Sequence, residues 1–316
     1  MNYPYAVGSI KALEGRIMDR GKLSKLIRCE KSEFLKTLKE LGYGSGSKGE
    51  SLEVVIEDEL TALKHYFDEI SPDREFTDWF FMVNDALNLK ILYKRKIFGV
   101  EIADIFSGSG TLKKEQLEKA VLGDDFTDLS PDLEKLVKSI NEKIEGNLNP
   151  RLISCIIDNV LFETIFKRLR FQLVPALKTY FQAFIDCANV LTWLRSRLLN
   201  WDYSQFQQMF ISNGTIKAEV FSEAYLLNGD AVAHCFRDYY DEKIAKALKG
   251  YFERPRLGQV EKRFDDLILE LMSFYKDDSF SIGPIIYYYL EKISEAKNIR
   301  LIYSSTYLDP NDLLEY

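Results

Sequence analysis

The stretch Leu52-Glu53-Val54-Val55-Ile56-Glu57-Asp58-Glu59-Leu60-Thr61-Ala62-Leu63-Lys64-His65-Tyr66-Phe67-Asp68-Glu69-Ile70 places apolar residues at 52, 55, 56, 60, 63, 67 and 70. That is the 3.6-residue period of a helix with one buried face. The period returns in 82–98, 152–170, 180–199 and 259–275. It also runs through 23–41, where Leu23, Leu26, Ile27, Phe34, Leu38 and Leu41 form one stripe. Two-residue alternation closed by hairpin turns is nearly absent, and Asn213-Gly214 leads into another helical pattern. Prolines at 4, 72, 131, 150, 175, 255, 284 and 310 mark candidate helix boundaries, because a helix tolerates proline only in its first turn. The chain is predicted to be all-α.

Composition narrows the function. With 46% hydrophobic and 29% charged residues, the 316-residue chain reads as soluble and globular. Lys and Arg number 42 against 49 Asp and Glu, a net charge of −7 that argues against a nucleic-acid partner. Cys29, Cys155, Cys187 and Cys235 lie far apart with no CxxC pair, which fits free thiols in a reducing compartment. No stretch has the length of a membrane span, and charges interrupt residues 1–21 too often for a signal peptide. The expectation is a cytoplasmic protein.

Turn residues cluster at 42–51, 107–110 and 212–215, and the last two suggest three segments, 1–109, 110–211 and 212–316. Each segment carries an acid three residues before an Asn: Asp85 and Asn88, Asp186 and Asn189, Glu295 and Asn298. Of the 13 Asn in the chain, only these three have an acid at that place. Apolar residues follow each Asn at the next position and one turn on. Upstream of each pair, an acid falls within the stripe of an earlier helix: Asp58, Asp158 and Asp265. Asn is a poor helix-interior residue, and it fits there when its amide bridges a neighbouring loop or helix end. The acid one turn earlier can accept from the same partner. The expected architecture is three helical repeats pinned by buried polar pairs.

No active site emerges. Gly44-Ser45-Gly46-Ser47-Lys48-Gly49 matches GxGxxG but follows a helix, whereas dinucleotide binding needs a strand before it. His65 stands alone, and His234 and Cys235 are adjacent, so on a helix they diverge. Asp265-Asp266 begins no DDxxD motif. Tyr287-Tyr288-Tyr289 has no basic cluster around it and reads as core. No catalytic residue, metal or cofactor is expected, which leaves binding, scaffolding or mechanical coupling.

The last third is more specific. Phe280-Ser281-Ile282-Gly283-Pro284-Ile285-Ile286-Tyr287-Tyr288-Tyr289-Leu290-Glu291-Lys292 continues to Glu295-Ala296-Lys297-Asn298-Ile299-Arg300-Leu301-Ile302. This resembles the C-terminal signature of the C (or d) subunit of V-type and A-type rotary ATPases. Ile10-Lys11-Ala12-Leu13-Glu14-Gly15-Arg16-Ile17 is similar to that family's opening helix with its closing Arg16. Lys90 and Leu191 occupy the place of Arg300 in the other segments, so the basic position is not kept in all three. The resemblance implies a funnel of three pseudosymmetric repeats. It also implies a non-catalytic role in the central stalk, coupling a shaft of D and F subunits to the membrane proteolipid ring during proton or sodium transport. Loops 42–51, 107–113 and 212–216 would share one end of the funnel as a partner face. A soluble all-α scaffold unrelated to ATPases is the alternative reading.

Overall fold

The computed structural model describes residues 2–99, 106–146, 149–305, 308 and 312–316. The chain begins with α1 (Tyr3–Leu13), a 3-10 turn (Glu14–Arg16), α2 (Arg20–Ile27), α3 (Phe34–Glu40), α4 (Leu52–Ile70) and α5 (Arg74–Phe98). Next come α6 (Lys114–Leu122), α7 (Pro131–Ile144), α8 (Pro150–Leu169), α9 (Pro175–Leu198) and α10 (Tyr203–Gln208). The last are α11 (Ala218–Ala224), α12 (Asp230–Cys235), α13 (Lys243–Glu253), α14 (Leu257–Ser273) and α15 (Gly283–Ser304). Among the described residues there is no strand, and no helix is long and apolar enough to cross a membrane.

Local chemistry sets the helix starts. Asn2, Asp19, Ser51, Ser130, Asn149 and Asp202 each accept from a first-turn N–H of the helix that follows. Pro4, Pro131, Pro150, Pro175 and Pro284 occupy first turns, where the missing N–H would have no partner anyway. Pro72 separates α4 from α5 and Pro255 separates α13 from α14, while Pro310 lies outside the described residues. The stripe predicted over 23–41 is two helices, α2 and α3. Arg28 to Glu33 between them offers no aliphatic or aromatic side chain that could continue the apolar face.

Two compact units divide the chain. The first comprises Met1–Phe81, Ser107–Gly110 and Leu269–Tyr316. Its axis is α15, packed on α1, α2 and α4. Phe67, Phe80, Phe81 and Tyr289 form an aromatic cluster, with Phe81 and Tyr289 centroids 4.8 Å apart and edge to face. Tyr288 and Tyr289 are therefore core residues. The second unit comprises Met82–Phe106 and Thr111–Ile268. In it α7, α8 and α9 pack in succession, as do α11, α12 and α13. Trp193, Phe206, Phe221 and Phe236 stack in its buried core. Helices α9 and α15 bury side chains around most of their circumference. Polar residues on such helices must find partners inside the protein.

Candidate functional site

Asp186, fully buried on α9, holds the loop that leads into α11. Its carboxylate accepts from the Thr215 N–H (2.9 Å), the Thr215 hydroxyl (2.5 Å) and the Ile216 N–H (3.0 Å). A fourth donor is the Tyr240 hydroxyl at 2.6 Å. Burial, then the Asp186 charge, pushes the Tyr240 phenol up, so it stays a donor. Tyr240 opens a run of three left-handed non-glycine residues with Asp241 and Glu242, at φ 53°, 49° and 64°. That conformation costs about 1–2 kcal/mol per residue, and the bond to Asp186 helps offset it. One turn along α9, Asn189 pairs with both backbone groups of a single residue. The Ile211 N–H donates to its Oδ1 (2.9 Å), and its Nδ2 donates to the Ile211 carbonyl (2.8 Å). A carboxamide carries an acceptor and a donor side by side and so can bond the N–H and the C=O of one residue together, which explains why this position is Asn. Gly214 completes the fit: a Cβ there would lie 2.1 Å from Asp186 Oδ1.

The other two acids also hold loop backbone, and Asn298 repeats the pairing of Asn189. In the second unit, Asp85 accepts from the Thr111 N–H (2.9 Å), the Thr111 hydroxyl (2.5 Å) and the Leu112 N–H (3.2 Å), just before α6. Asn88 is fully buried one turn on. In the first unit, Glu295 accepts from the Met18 N–H at 2.6 Å, just before α2. Asn298 pairs with Leu314 as Asn189 does with Ile211, at 2.7 Å and 3.0 Å. Thus Leu112, Ile216 and Met18 are each held by an acid of a long helix at the entry to a short one. The third loop held in this way is Ile17–Asp19. Loop 42–51 leads into the long α4 instead of a short helix: the Gly44 N–H donates to Glu59 of α4 (3.1 Å), and Lys39 donates to the Ser47 and Gly49 carbonyls.

The upstream acids do not share one environment. Asp58 is exposed and bonded to the Ser47 hydroxyl, outside the stripe assigned to it. Its neighbour Glu59 turns inward. Asp158 pairs with Lys90 at 2.5 Å, and burial raises its pKa against the pull of Lys90. Asp265 is half-buried on α14. Burial, with the charges of Asp186 and Asp265, holds the Cys187 thiol well above its usual range.

Several residues that hold the structure carry no sequence signal of the kind sought. Asn159, beside Asp158, donates to the Phe210 carbonyl and accepts from the Ser212 N–H, both at 3.0 Å. Glu57 accepts from the Gly108 N–H at 2.5 Å. Lys292 is buried, ion-paired with Glu295 and with Glu59 (3.0 Å), and seated 4.4 Å from the Tyr43 ring centroid.

The signature residues are placed as follows. Gly283 and Pro284 open α15. A Cβ on Gly283 would lie 2.5 Å from Tyr275 Cβ and 2.7 Å from the Tyr275 carbonyl oxygen, so only glycine lets this helix start so close to that backbone. Arg300 makes a forked contact with Glu53, Nε to Oε2 at 2.9 Å and a terminal nitrogen to Oε2 at 2.8 Å. Arg16 is exposed at the end of the 3-10 turn.

Glu291 on α15 adds a pH dependence. Burial pushes it up to about 7; the Tyr287 hydroxyl opposes the rise, Glu14 adds to it, and Lys276 and Lys11 lower it. An unfolded Glu titrates near about 4.3. The folded state therefore prefers the protonated form, and this contribution is full below the unfolded pKa and lost as pH rises toward 7. Glu291→Gln should raise the melting temperature at pH 8, by roughly 1–3 kcal/mol of stability. The gain should vanish at pH 4, and thermal unfolding of both proteins at the two pH values measures it.

Buried carboxylate and carboxamide bonds to loop backbone thus recur through an all-helical protein. Residues 6–315 match the ATP synthase (C/AC39) subunit family, and the chain belongs to that family. It is 24% identical over 256 residues to the C subunit of the V-type sodium ATPase of Enterococcus hirae, covering 79% of this chain and 76% of that protein. It is 23% identical over 325 residues to the C subunit of the A-type ATP synthase of Methanobrevibacter smithii, covering 95% and 83%. The corresponding A-type ATP synthase protein of Methanosphaera stadtmanae is similar at 22% over 322 residues, with the same coverage.

Proposed function

We propose that the chain is the rotor adaptor of a V/A-type ATPase. It joins the central shaft of D and F subunits to the proteolipid ring on the cytoplasmic face, so that ATP hydrolysis elsewhere drives proton or sodium transport. In this role it needs no catalytic residue or cofactor of its own. The observation that carries the reading is the family match across residues 6–315. The three held loops support its finer architecture, a funnel of three repeats over 1–109, 110–211 and 212–316. A body that transmits torque must resist shear between its helices. Apolar packing resists separation but is non-directional, whereas buried hydrogen bonds to loop backbone fix register.

An affinity pull-down of the tagged chain from gently solubilised host membranes tests the role. Recovery of shaft and proteolipid subunits together is expected. Recovery of neither, from membranes shown to hold intact ATPase, would rule the adaptor out.

A further inference from the structure

The turn between α8 and α9 presents two bulky apolar side chains to solvent. Phe171 is 89% exposed and Leu173 is 90% exposed. They project from the turn on either side of Gln172, just before the rigid Pro175 that opens α9. Behind them runs a groove lined by Phe166, Leu169, Arg170, Val174, Lys178 and Gln182, among others, with no acidic side chain in its wall. Arg170 and Lys178 are exposed, and neither is in an ion pair among the described residues. The neighbouring cations differ: Lys167 pairs with Glu163 at 3.0 Å and Arg168 with Asp132 at 2.6 Å.

We infer that this tip docks on an anionic phospholipid surface, with Phe171 and Leu173 entering the interfacial layer and Arg170 and Lys178 meeting headgroup phosphates. Two protruding apolar side chains need matching pockets on a protein, but on a lipid surface they need only depth. Two unneutralised cations behind them supply the charge complementarity to such a surface. The chain as a whole carries −7 and is repelled by the same surface, so a favourable approach must lead with a local patch that is basic and apolar, as this tip is. The turn between α14 and α15 also exposes two aromatics, Phe274 and Phe280, but Asp277 and Asp278 lie between them. Charge thus separates the two turns.

Vesicle flotation of the purified full chain tests this with no other ATPase component present, and so apart from the adaptor role. Vesicles of phosphatidylcholine alone are compared with an equal mixture of phosphatidylcholine and phosphatidylglycerol. The chain should float with the mixed vesicles at low salt, less at high salt, and not with phosphatidylcholine. Phe171→Ser with Leu173→Ser should weaken binding by about tenfold or more without changing the melting temperature, because both side chains are already in water. Arg170→Gln with Lys178→Gln should abolish the preference for the anionic lipid. Phe274→Ser with Phe280→Ser should bind as the unaltered chain does. Failure of the unaltered chain to float with mixed vesicles would overturn the inference and leave the tip to a protein partner. So would undiminished binding by the Phe171/Leu173 variant, or an equal loss in the Phe274/Phe280 variant.

Discussion

Asp186→Ala is expected to destabilise the chain by about 3–5 kcal/mol, a fall of roughly 5–8 °C in melting temperature. The carboxylate is fully buried and takes four donors, the Thr215 and Ile216 N–H groups and the Thr215 and Tyr240 hydroxyls. Alanine leaves those donors without an acceptor in a space that excludes water. The left-handed turn at Tyr240 to Glu242 also loses the bond that helps offset its strain. Asp186→Asn keeps one acceptor oxygen and should fall between the two. Amide exchange at Thr215 and Ile216 gives the local readout. Both amides should be protected in the unaltered chain and exchange rapidly in Asp186→Ala. Protection that survives the substitution would show that the carboxylate does not hold the loop.

The second large effect is expected at Gly283. A methyl there meets the Tyr275 carbonyl oxygen at 2.7 Å and Tyr275 Cβ at 2.5 Å, and backbone cannot swing aside as the end of a long side chain can. Gly283→Ala should therefore move the start of α15 and cost about 1–3 kcal/mol. Gly258 in α14 provides the contrast, with nothing within 4 Å of its would-be Cβ. Gly258→Ala should be neutral or stabilising by up to about 1 kcal/mol, since alanine is the better helix former. Equal effects at the two positions would mean that the close approach at Tyr275 does not constrain the helix.

The all-helical class was legible because the apolar period repeats in segment after segment and the prolines fall at helix starts. The acid–Asn pairs were legible for a local reason: each is a polar pair one turn apart followed by apolar residues at the next position and one turn on. Their partners were not. Met18 is 277 residues from Glu295, and no local rule links them. Asp58 was misplaced by a single residue. On α4 the inward direction falls at Glu59, and a stripe with gaps of three and four cannot separate adjacent acids. Lys292 was invisible because a lysine in a helix ordinarily reads as a solvated face. Only the juxtaposition of Glu295, Glu59 and the Tyr43 ring explains its burial. The break between α2 and α3 was missed because the stripe from Leu23 to Leu41 keeps its helical phase across the intervening residues 28–33.

Within each unit, helices are tied to one another through loop backbone. The buried groups serve rigidity, and the relatives are C subunits of V-type and A-type complexes. In the adaptor role proposed above, the chain's contribution is coupling. The most direct measurement compares ATP-driven ion uptake with ATP hydrolysis in membranes assembled with and without the chain. The account predicts that, without it, hydrolysis by the catalytic head persists while ion uptake is lost, and that adding the purified chain restores uptake. Ion uptake at the same rate in its absence would contradict the account.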